Sequence, residues 1–101
     1  MPATSFQQVA PTVNAAGNGT TSVNVAIGQR LSGATLRVLN LNTVPAFVRA
    51  GIGAQTATTA DTPVPPTASG GYTDIYVGAA DNVAFVLSAA GTAVVYFCPG
   101  S

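Results

Sequence analysis

Apolar and polar residues alternate from Thr20 onward: Val23, Val25 and Ile27 share one parity, and Ser22, Asn24 and Ala26 the other. A period of two is the signature of a half-buried strand, and Gly28 is its expected end. Residues 35–42 and 46–52 read as the next two strands. Asn42-Thr43-Val44-Pro45 joins them as a short loop, because proline has no place inside a central strand. They read as the clearest hairpin in the chain, and pairing Leu39 with Val48 and Arg37 with Ala50 avoids setting Arg37 opposite Arg49, where like charges would repel.

Residues 53–71 have no periodic pattern. Pro63, Pro65 and Pro66 allow at most a short edge strand near Val64, so this stretch is expected to lie over a sheet edge or reach a neighbour. Three more strands follow. The first places Tyr72, Asp74 and Tyr76 on one face, the second sets Val83, Phe85 and Leu87 against Ala84 and Val86, and the third carries Val94 to Phe97. Gly78-Ala79-Ala80-Asp81 and Ala89-Ala90-Gly91 read as the turns between them. No segment carries apolar residues at helical spacing. The pattern predicts an all-β, single-domain β-sandwich of jelly-roll or immunoglobulin-like outline with six to eight short strands. Residues 1–19, with Phe6 and Val9 as their apolar positions, read as an N-terminal arm and turn, and residues 20–101 as the sandwich.

Composition narrows the chemistry. The 101 residues include three arginines, three aspartates and no histidine, for a formal net charge of zero. Nucleic acid and anionic lipid are therefore not expected partners. Without His, Lys or Glu, and with Cys98 alone, the nucleophile and base pairs of acyl transfer cannot be assembled. No enzyme activity, cofactor or metal is expected. Asp61, Asp74 and Asp81 are spaced as arginine partners and turn formers rather than as a calcium loop. Tyr72 and Tyr76 suit interface filling or stacking on a sugar ring. Residues 1–10 lack a basic start and an apolar run, and no stretch is long and apolar enough to span a bilayer, so synthesis in the cytoplasm is expected. A neutral, charge-poor surface favours association.

Arg37-Val38-Leu39-Asn40 followed by Pro45-Ala46-Phe47-Val48-Arg49-Ala50-Gly51 resembles a pattern in small structural proteins of tailed bacteriophages. The likeness continues through residues 57–65, Gly91 to Tyr96 and Pro99-Gly100, and is least in the N-terminal third. It implies a capsid cement or decoration protein that docks on the major capsid protein and on neighbouring copies of itself, as a dimer or trimer, at the virion surface. It transfers no residue roles. The expected contact segments are the two without a clear place in a sheet: the arm with Phe6 and Val9, and the Pro-rich loop with Val64 and Pro65. The alternative is a glycan- or receptor-binding β-module of a tail fibre or adhesin.

Overall fold

The computed structural model describes residues 6–66 and 71–101. The ends of the expected arm and loop, at 1–5 and 67–70, lie outside the described residues. Six strands, β1 (Val13–Ala16), β2 (Val23–Asn40), β3 (Ala46–Gly51), β4 (Thr62–Val64), β5 (Thr73–Leu87) and β6 (Val94–Gly100), form one antiparallel sheet in the order β1-β6-β2-β5-β3-β4. The described chain is all-β.

Two of these strands are long, with 18 residues in β2 and 15 in β5. Each joins what the sequence divides in two, because neither Gly28 nor the Gly78 to Asp81 run makes a turn. The bend is absorbed by a bulge instead: Ala26 faces Asn82 and Leu31 faces Ala80, so β2 advances five residues while β5 advances two. Gly28 sits in this bulge at φ 92°, a conformation a Cβ disfavours. Opposite it, Ala80 is buried and small enough to let the layers close.

The sheet folds across this bend into two sandwich-like layers. β1, β6 and the later part of β2 with the start of β5 form the first, and the start of β2 with the end of β5, β3 and β4 form the second. Phe97 of the first layer and Phe85 of the second meet with ring centroids 5.8 Å apart. Leu36, Val38, Val48, Val64, Val83, Leu87 and Val95 complete one fully apolar core around them. Burying a Val, Leu or Phe side chain contributes roughly 1.5–3 kcal/mol each.

The expected hairpin of 35–42 with 46–52 is absent. β3 pairs with β5 and β4, while the partners of β2 are β5 and β6. The link between β2 and β3 crosses from one layer to the other, and two buried asparagines hold the crossing. Asn40 Oδ1 accepts from the backbone N–H of Asn42 and from its Nδ2, and Asn40 Nδ2 donates to the carbonyls of Val44 and Val64. Asn42 Nδ2 donates to the Ala93 carbonyl while its Oδ1 accepts from Ala93 N–H. A buried polar network is tolerated when its members find partners, as these do.

The N-terminal segment belongs to the sheet more than an arm would. Ala10 is in the core, β1 pairs with β6, and Gln7 and Val9 donate backbone N–H groups to the carbonyls of Ser101 and Pro99. Residues 53–61 lie over a sheet face rather than an edge. Ala57 packs on Ala84, Val86 and Phe47, covering the outside of the second layer.

Candidate functional site

The two outer faces differ. On the second layer, the covering loop is tied down at four points: Gly53 N–H donates to Asp81 Oδ1, Gln55 N–H to Asn24 Oδ1 and Ala57 N–H to Ser22 Oγ, while Asp61 Oδ1 accepts from Arg49 Nε. The Thr58 N–H, with Arg49 Nε at 3.1 Å, holds the Asp61 carboxyl below the usual carboxylate range. The Gly53 N–H and Asn82 Nδ2 do the same for Asp81. That face is closed by its own chain.

On the first layer, alternation buries Leu36, Val38, Val95 and Phe97 and turns Thr35, Arg37, Leu39, Tyr96 and Cys98 outward. Register then gathers distant residues, since Tyr96 lies beside Leu39, Cys98 beside Arg37, Arg37 beside Asp74 and Thr35 beside Tyr76. All three tyrosines of the chain share this face. Tyr76 is 73% exposed and Tyr72 53%. Leu41, next on the same parity beyond β2, is also exposed. Phe6, from the N-terminal segment, reaches over this face at Arg37.

Arg37 is the centre of the face. Its Nε and Nη2 donate to the two Asp74 carboxylate oxygens at 3.0 and 3.1 Å, a bidentate geometry. Its guanidinium lies 3.8 Å from the Tyr72 ring centroid and 4.1 Å from that of Phe6, so two rings stack on one cation. The hydrogen bonds to Asp74 raise the Arg37 pKa further above its ordinary value. The site therefore presents aromatic surface with its one cation and one anion already neutralised. It has the character of a contact surface: apolar, aromatic and without free charge.

The four residues singled out from sequence do not come together. Phe6 is half-buried over Arg37, and Val9 is exposed on the segment beside β6. Val64 is fully buried under the Asn40 amide at the opposite edge, and Pro65 is exposed beside it. The Val64 side chain is thus occupied with the core. The sequence pattern places Tyr72, Asp74 and Tyr76 on one face; what it lacks is the register that adds Tyr96, Leu39 and Arg37. A shallow recess of about 270 Å³ lies at the bulge, lined by Gly28, Arg30 and Asp81 among others. Its carboxylate is already engaged by Gly53 and Asn82.

Comparison with protein-family models, with characterised proteins and with solved structures finds no match for this chain.

Proposed function

We propose that this chain is a non-catalytic structural module, a capsid decoration protein that docks through the tyrosine face of its first layer onto a charge-poor surface of the major capsid protein. One observation carries the docking part: the second layer's outer face is covered by residues 53–61, whereas the first layer's exposes Tyr72 and Tyr76, with Tyr96 half-buried on the same face, around a neutralised Arg37–Asp74 pair. Exposed aromatic patches of this kind mark interaction sites. The capsid part rests on the sequence resemblance. The jelly-roll or immunoglobulin-like outline belongs to the same proposal, supported by two layers closing on one core.

A glycan-binding module is the second reading, favoured by the exposed rings of Tyr72 and Tyr76 on one face. Cosedimentation with assembled tailed-phage capsid shells separates the two. Saturable binding at a fixed stoichiometry, lost in Tyr76→Ser, is the expected result. Absence of binding to shells, with Tyr76-dependent retention on a glycan array, overturns the capsid reading in favour of the second.

A further inference from the structure

Residues 53–61 cover the second layer without joining its sheet. Among the described residues, none of 53–60 shares a backbone–backbone hydrogen bond with a strand. Their ties to the layer run through its side chains instead: Asp81 accepts from Gly53, Asn24 from Gln55 and Ser22 from Ala57, and Arg49 donates to Asp61. All but the Ser22 bond are exposed, and within 53–61 only Ala57 is buried. Little burial and solvent-exposed bonding mark the parts of a fold that open locally.

Each end of the segment is a turn that supports itself. Gln55 Nε2 donates to the Ile52 and Gly53 carbonyls, directly over Gly51, where a Cβ would lie 2.7 Å from that nitrogen. At the other end, Thr58 N–H donates to Asp61 Oδ2, Asp61 N–H to the Thr58 carbonyl and Ala60 N–H to Thr58 Oγ1. The layer beneath is equally self-sufficient, since Asn24 Nδ2 donates to Asn82 Oδ1 and Asn82 Nδ2 to Asp81 Oδ1. Lifting the segment breaks the four ties and the Ala57 contact, and both sides keep their own hydrogen bonds. The outermost ties, at Asp81 and at the Arg49–Asp61 pair, involve charge, and such bonds are the stronger kind.

We propose that residues 53–61 are a lid that opens as one unit while the sandwich stays folded, latched at its ends by Asp81 and Asp61 and uncovering Phe47, Ala84 and Val86. Phe47 faces Val86 across β3 and β5, and Ala84 is the next residue of β5 on the same side. The open state therefore bares an apolar strip on the second layer. The closed state is the dominant one, and the lid is independent of what the tyrosine face binds.

Thiol labelling tests it in a Cys98→Ser background. Ala57→Cys puts a thiol under the lid, Thr59→Cys an exposed one on it, and Ala46→Cys a fully buried one in the core. Under native conditions Ala57→Cys is expected to react roughly tenfold or more slower than Thr59→Cys and roughly a hundredfold or more faster than Ala46→Cys. Its rate should stay flat in low urea, because a lid exposes little surface, while that of Ala46→Cys climbs. Adding Val95→Ala weakens the sandwich in the closed and open states alike, so it is expected to speed Ala46→Cys about tenfold and to leave Ala57→Cys unchanged. Adding Asp61→Ala and Asp81→Ala weakens the closed lid, and is expected to speed Ala57→Cys about tenfold. An Ala57→Cys thiol that is as protected and as urea-dependent as Ala46→Cys, that reacts like Thr59→Cys, that Val95→Ala accelerates, or that the two aspartate changes leave unaffected overturns the proposal.

Discussion

At the scale of single residues, polar groups do the positioning and their effects can be measured separately. Asn40→Ala leaves the Val44 and Val64 carbonyls and the Asn42 donors without their partner in a dry interior. Leaving a buried group unsatisfied costs about 1–3 kcal/mol, so a loss of about 2–3 kcal/mol in urea unfolding is expected, against little change for Asn14→Ala at the exposed edge. Gly91 is required for a different reason. A Cβ there would lie 2.8 Å from both Asn42 Oδ1 and Leu87 Cδ1, so Gly91→Ala strains the same network. Asp61 and Asp81 act through charge. Both carboxyls are depressed in the folded state, chiefly by backbone N–H groups of the covering loop. A depressed carboxyl contributes stability that is present above its unfolded pKa of about 3.9 and is lost as pH falls through the folded value. Below about pH 4, hydrogen exchange of residues 53–58 is therefore expected to accelerate before the strands open. The double variant Asp61→Asn/Asp81→Asn should show fast exchange in this loop at pH 7 and little further change on acidification.

At the scale of elements, strand character was legible in the sequence and strand partnership was not. Parity groups Val25 with Ile27, and Val83 with Phe85 and Leu87, on faces that the structure buries in the core, while Ala84 and Val86 of the other parity are buried under Ala57; the prolines, not parity, leave room for the short edge strand at Val64. Glycine misleads at the bend. Gly28 and Gly78 look like strand ends, yet a strand can continue through a bulge when the partner offers a small residue such as Ala80, and nothing local distinguishes the two outcomes. The hairpin failed for a related reason: Asn40 read as a strand residue and Asn42 as the start of a short loop, whereas their amides reach Val64 and Ala93, contacts that exist only once both layers have formed. Of the candidate site, the shared face of Tyr72, Asp74 and Tyr76 was readable. Tyr96 and the Phe6 ring over Arg37 depend on long-range register. The N-terminal segment illustrates the consequence. Deleting residues 2–10 removes Ala10 from the core, the Val9 and Gln7 bonds to β6 and the Phe6 ring from Arg37. Such a deletion is expected to lower the melting temperature by several degrees. Val64→Asp places a carboxylate in the core and is expected to prevent folding outright, so neither change reports on docking by itself.

At the scale of the whole molecule, β2 and β5 each run through both layers, so neither layer can unfold while the other keeps its strands. Unfolding should therefore be a single transition, with calorimetric and van't Hoff enthalpies that agree. The same construction leaves the tyrosine face rigid and independent of the core, which makes it separable by mutation. Tyr76 is mostly exposed, so Tyr76→Ser removes little packing and is expected to leave the melting temperature within about 2 °C, while an aromatic anchor at an interface commonly contributes 2 kcal/mol or more. A loss of at least roughly thirtyfold in affinity for capsid shells is the corresponding expectation. Ionic strength supplies the complementary test. With a net charge of zero and the face's Arg37 already paired to Asp74, few charges remain to be screened on docking, and screening acts on charge rather than on apolar area. Retention on shells should therefore stay nearly constant between about 50 mM and about 1 M salt, where the Debye length falls to about 3 Å. If wild-type protein washes off in salt, docking runs through charges and the tyrosine face is not the contact; if Tyr76→Ser binds as wild type does at both salt concentrations, another surface of the molecule carries the binding.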